Sequence, residues 1–179
     1  MSKTNEVVST IMRYNNQYND YYYPIKRSFG RTLNSCNLDA TIAYANLSDT
    51  KNPVRQNKEF MVAGLCYNIS NVSDNLSFVK FEDLLKRMVA ADKSTGKPRK
   101  KEVEKFLQLR YDNNGYFAKR FYTIANKAIL YLHHNETVDF IKLLDDLEHW
   151  DEGNTVKLRW AMTVANITEN NNDKDKEND

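Results

Sequence analysis

The sequence predicts an all-α protein of about eight helices with N- and C-terminal helical parts. Three observations carry that expectation. Apolar residues recur at three- and four-residue intervals along most of the chain. Only five glycines and three prolines interrupt 179 residues, too few for the many turns of an all-β domain. Short Asn/Asp/Ser runs separate the apolar stripes and read as loops.

Taken in order, Val7, Ile11, Tyr14 and Tyr18 place a first helix up to Asp20, which Tyr23-Pro24 breaks. A second begins at Pro24, a good first-turn residue, and carries Ile25, Phe29 and Leu33. Asp39–Leu47 reads as a short helix before Asn52-Pro53. Phe60, Met61, Leu65 and Ile69 mark the next, with Gly64 inside it, and Asn68–Asn75 is a loop. Phe81, Leu84, Leu85, Met88 and Val89 form a clean stripe with Lys86 and Arg87 on the opposite side. Lys93–Pro98 is a basic loop, and Val103, Phe106 and Leu107 face a core from the helix after it. Asp112–Gly115 is a turn. Phe117, Phe121, Ile124, Ala128 and Leu132 define what should be the longest helix. Thr137 is the expected cap of the next helix, with Asp139 in its first turn and Phe140, Leu143, Leu144 and Leu147 buried. Val156, Trp160, Val164 and Ile167 describe a last helix, and Trp150 and Trp160 should be buried where the last two helices pack. The expected division is 1–80, 81–168, and a disordered acidic tail at 169–179.

Composition excludes several classes. No run of 18 apolar residues offers a membrane span, and no apolar segment follows the N-terminus. Cys36 and Cys66 are too few for a disulfide scaffold and read as reduced core residues of a cytoplasmic protein. Catalytic motifs are absent: no G-x-G-x-x-G, no P-loop and no nucleophile elbow. His133 and His134 are adjacent and diverge on a helix, His149 stands alone among carboxylates, and no H-x-x-x-H or E-x-x-H offers metal ligands. No enzyme, metal or cofactor is expected.

The net charge of +2 hides a strong segregation. Lys80–Leu132 holds thirteen Lys/Arg against six Asp/Glu, a net of +7, whereas Glu136–Glu152 holds seven acids and one lysine, a net of −6. Basic residues come in small groups beside the apolar stripes: Lys26-Arg27, Lys86-Arg87, Arg99-Lys100-Lys101, Lys119-Arg120, and Lys157 with Arg159. Such placement lets helices bury one face and present cations on the other, which neutralises phosphates without reading bases.

The segment Val138–Met162 then narrows the reading. Val138-Asp139-Phe140, Leu143-Leu144-Asp145-Asp146-Leu147, Trp150-Asp151, and Val156-Lys157 with Arg159-Trp160-Ala161 follow one another at fixed offsets. This resembles the C-terminal signature of the CasB family, the small subunit of the type I-E CRISPR surveillance complex, Cascade. Upstream, Phe106-Leu107-Gln108-Leu109-Arg110-Tyr111-Asp112, Lys119-Arg120, Leu84-Leu85-Lys86-Arg87, Ile25-Lys26-Arg27 and Asn52-Pro53 with Arg55 resemble further family elements. The likeness spans about Pro24 to Val164 and is most specific in the C-terminal third. Lysine stands where the family has arginine at Lys26 and Lys119, and where it has glycine at Lys86; phosphate contact tolerates the Arg-to-Lys exchange better than bidentate base contact does.

The resemblance implies a helical, non-enzymatic, cytoplasmic subunit that contacts other Cascade subunits and a second copy of itself. Its basic surface would hold the target strand and the displaced strand of the R-loop, with crRNA nearby, leaving sequence reading to guide pairing. The residues expected to contact nucleic acid are Lys26, Arg27, Arg55, Lys86, Arg87 and Arg99, together with Lys100, Arg110, Lys119, Arg120, Lys157 and Arg159. Seven of them (Lys26, Arg27, Arg55, Arg87, Arg110, Lys119 and Arg120) should share one continuous surface. The acidic segment Glu136–Glu152 would face protein neighbours.

Overall fold

The computed structural model describes residues 23–48, 50–69, 76–95, 99–112 and 114–172. The helix expected before Asp20 lies outside them. Among the described residues there are eight α-helices: α1 Tyr23–Arg27, α2 Leu38–Ala45, α3 Pro53–Asn68, α4 Phe81–Thr95, α5 Arg99–Leu107, α6 Tyr116–Ala128, α7 Phe140–Glu148 and α8 Thr155–Asn172. Two short strands, β1 Ser77–Val79 and β2 Glu136–Val138, pair in parallel with Val79 opposite Val138. The architecture is all-α, as expected, and the strand pair was not anticipated. None of the described helices is long and apolar enough to cross a membrane.

One apolar cluster runs from Ile25 to Val164 and joins the N-terminal helices to the C-terminal ones. α4 packs along α8, α1 along α3, and α3 against α7. Its centre is aromatic. Trp150 and Trp160 are fully buried, their rings 5.2 Å apart and nearly perpendicular. Phe106 and Phe117 flank Trp150 at 5.2 and 5.5 Å, and Phe81 lies 5.4 Å from Trp160. Edge-on and tilted packing of this kind adds to the area buried. Each indole N–H finds an acceptor: Trp150 donates to the Leu109 carbonyl at 2.9 Å, and Trp160 to Asp146 Oδ2 at 2.9 Å.

Several boundaries differ from the sequence expectation for identifiable reasons. The helix expected over 24–33 stops at Arg27 and gives way to a turn and a 3-10 turn at Leu33–Ser35. Gly30 takes φ +93°, and a Cβ there would lie 2.8 Å from Tyr122 Cγ, so the chain leaves the helix where it touches α6. α3 starts earlier than its apolar stripe because Asn52 caps it, accepting from the Val54 and Arg55 amides at 3.0 and 3.2 Å, with Pro53 in the first turn. Gly64 does not break this helix. It lets Phe29 approach, since a Cβ at position 64 would meet Phe29 Cβ at 3.1 Å.

Asp139, rather than Thr137, caps α7 by accepting from the Lys142 amide at 2.9 Å; Thr137 belongs to β2. The helix from Tyr116 ends at Ala128 and tightens into a 3-10 turn at Ile129–Tyr131. The longest described helix is therefore α8, with 18 residues, and it continues to Asn172. α4 extends to Thr95, into the expected basic loop; residues 96–98, 70–75 and 173–179 lie outside the described set.

Candidate nucleic-acid interface

The folded chain brings the basic and acidic segments together. Arg87 on α4 grips Glu136 on β2 with both guanidinium nitrogens, at 2.5 and 2.9 Å, and also donates to the Tyr131 carbonyl. The guanidinium lowers the Glu136 carboxyl from 4.5 to about 2. Arg159 on α8 bridges Glu82 on α4, at 3.2 Å, and Asp146 on α7. Arg55 at the start of α3 lies 3.2 Å from Glu59 and 2.9 Å from Glu148 on α7. The Lys157 ammonium is 3.0 Å from Asp151 and 5.5 Å from the Trp150 ring centroid.

These four of the twelve expected contacts are struts within the fold, joining a helix to another helix, a strand or a turn. A phosphate reaching any of them competes with a carboxylate already in place. The acidic segment is correspondingly occupied within the fold. Asp146 is 1% exposed and accepts from Trp160 and Arg159, Glu148 faces Arg55, and Asp151 accepts the Tyr111 amide at 3.0 Å. Of the segment's carboxylates, Asp145, Asp151 and Glu152 are exposed.

The remaining expected contacts differ. Arg27, Lys100, Arg110, Lys119 and Arg120 are exposed, and Lys26 and Lys86 partly so. Among the described residues none of these seven lies within ion-pair distance of a carboxylate. Arg120 lies 5.5 Å over the ring of exposed Tyr116, one turn before it on α6. Arg99 at the start of α5 donates to the Tyr131 hydroxyl and stacks 5.5 Å over that ring. Arg110 lies outside ion-pair distance of its neighbour Asp112. Asp112 instead accepts the amides of Asn114, Tyr116 and Phe117 and holds the entry to α6.

Sequence reasoning passed over Lys105, and it grouped Lys101 with Arg99 and Lys100 without naming it among the expected contacts. Both line a half-open groove of about 320 Å³ between α5 and α6, with Glu102, Phe106, Arg120, Thr123 and Ile124. The available signal was spacing: Lys101 and Lys105 are one turn apart, on the face of α5 away from Val103 and Leu107. Among the described residues no three His, Cys, Asp or Glu side chains converge as a metal site. Burial pushes the Cys66 thiol up, so the thiolate a nucleophile needs is disfavoured.

Compared with known proteins, the chain matches no family model, no curated protein and no solved structure.

Proposed function

We propose that this chain is a non-catalytic small subunit of a type I-E Cascade complex. It binds nucleic acid without reading sequence and steadies the R-loop, the displaced strand included, in cytoplasmic antiviral defence. One observation carries the nucleic-acid part. After internal ion pairing is subtracted, seven of the expected cations stay at the surface with no carboxylate within ion-pair distance among the described residues. A surface of uncompensated Lys and Arg attracts phosphates by charge and releases counterions on binding.

The Cascade part rests on the resemblance over Val138–Met162. Its signature residues serve the fold here: Asp139 caps a helix, Asp146 holds Trp160, and Trp150 packs against Phe106 and Phe117. Residues with such demanding partners keep their spacing only in a particular helical arrangement, which makes them informative about fold. Phosphate binding is then the property that the fold presents.

Co-expression with the other Cascade subunits and a crRNA tests this. The chain should co-elute with the assembled particle. Elution of the chain alone, beside a particle complete without it, contradicts the proposal. An adaptor that only bridges proteins would leave single strands and duplexes unshifted on a gel at low salt.

A further inference from the structure

Three cations converge on the groove between α5 and α6: Lys101 and Lys105 from one wall, Arg120 from the other. Like charges gathered in one concavity repel one another, and low-dielectric walls focus their field. The floor supplies no relief, since Phe106 and Ile124 are apolar and buried. Among the described residues Glu102 is the one carboxylate lining the groove, and both its oxygens accept from Lys127, at 2.7 and 2.8 Å. Thr123 adds no donor, because its hydroxyl proton goes to the Lys119 carbonyl at 2.9 Å. The groove therefore lacks one thing, an anion.

We propose that the α5–α6 groove seats a backbone phosphate of a nucleic-acid strand, with Lys101, Lys105 and Arg120 as its ligands. This deepens the function proposed above and rests on its nucleic-acid class. Its size, at the low end of ligand pockets, admits one nucleotide unit and leaves the rest of the strand to the exposed cations around it. Tyr116 holds the Arg120 guanidinium at the groove from one turn away. With all three cations turned to the phosphate, which carries no sequence information, the seat is blind to sequence.

The test uses the full chain and a labelled single-stranded oligonucleotide of mixed sequence, with inorganic pyrophosphate as competitor. The Lys101→Ala/Lys105→Ala double variant should weaken oligonucleotide binding and flatten the log–log salt slope by about 0.7, the value for the one phosphate seated there. Its melting temperature should not fall, because both side chains are exposed and repel each other. Glu102→Gln should act in the opposite direction and tighten binding, since it removes the negative charge lining the groove. Pyrophosphate should displace the oligonucleotide from the wild-type chain more effectively than from the double variant.

Unchanged oligonucleotide binding by the double variant overturns the groove assignment while the wider nucleic-acid reading stands. Pyrophosphate bound in the groove without displacing the oligonucleotide overturns it too, and makes a free phosphate compound the occupant. Failure of the wild-type chain to bind the oligonucleotide at low salt overturns the nucleic-acid reading itself.

Discussion

Trp160 donates its indole N–H to Asp146 Oδ2 at 2.9 Å, and the two residues are 0% and 1% exposed. The same carboxylate accepts from Arg159, and Lys142 lies 2.8 Å from its other oxygen. One buried acid thus ties α7 to α8, and through Arg159 to Glu82 on α4.

Replacing Asp146 by Ala strands the buried Trp160 indole N–H and takes one of two carboxylates from Arg159 and from Lys142, which keep Glu82 and Asp145. The expected cost is about 1.5–3 kcal/mol, as for a lost hydrogen bond to a charged group. Asp146→Asn keeps an acceptor for Trp160 and should cost less. Urea unfolding of the two variants checks both the size and the order.

Trp160→Ala removes a fully buried ring from contact with Trp150 and Phe81. It should cost about 3–5 kcal/mol. A loss of nucleic-acid binding without loss of stability would assign the ring to base stacking instead.

Much of this core was legible from sequence. The stripe of Phe117, Phe121 and Ile124 and the paired tryptophans are local patterns, and helix periodicity reports them directly. What escaped depends on distant partners. β1 and β2 are three residues each, too short for an alternation to register, and they pair across 59 positions at Ser77 and Glu136. The ion pairs escaped for the same reason. Arg87 and Glu136 are 49 residues apart, and nothing near Arg87 in sequence says that its charge is already spent. The purpose of Gly64 escaped as well, because Phe29, for which it leaves room, lies far off in sequence, in the turn after α1.

The Arg87–Glu136 pair makes a pH-dependent contribution to stability. The folded-state carboxyl is depressed from 4.5 to about 2, so its stabilisation is present above pH 4.5 and lost as pH falls towards 2. Arg87→Ala should therefore cost about 1.5–3 kcal/mol near neutral pH, and the difference from wild type should shrink in acid. Unfolding curves near neutral pH and near pH 2 decide it; a constant difference would mean that Arg87 stabilises through something other than this carboxylate.

In an assembled Cascade particle, Lys119→Ala/Arg120→Ala should speed R-loop collapse. Recognition of the short flanking motif should be unchanged, because another subunit is expected to read it. Single-molecule R-loop lifetimes measure the first, and binding to targets with an altered flanking motif measures the second.

The most direct measurement is the salt dependence of binding to two DNA strands of unrelated sequence. Lys119→Ala/Arg120→Ala removes exposed cations that have no carboxylate within ion-pair distance among the described residues, and should lower the log–log slope by about 0.7–0.9 per contact, equally on both strands. Lys157→Ala removes an ammonium already 3.0 Å from Asp151 and should leave the slope nearly unchanged. Equal effects of the two changes, or a loss confined to one sequence, would contradict binding through uncompensated surface charge.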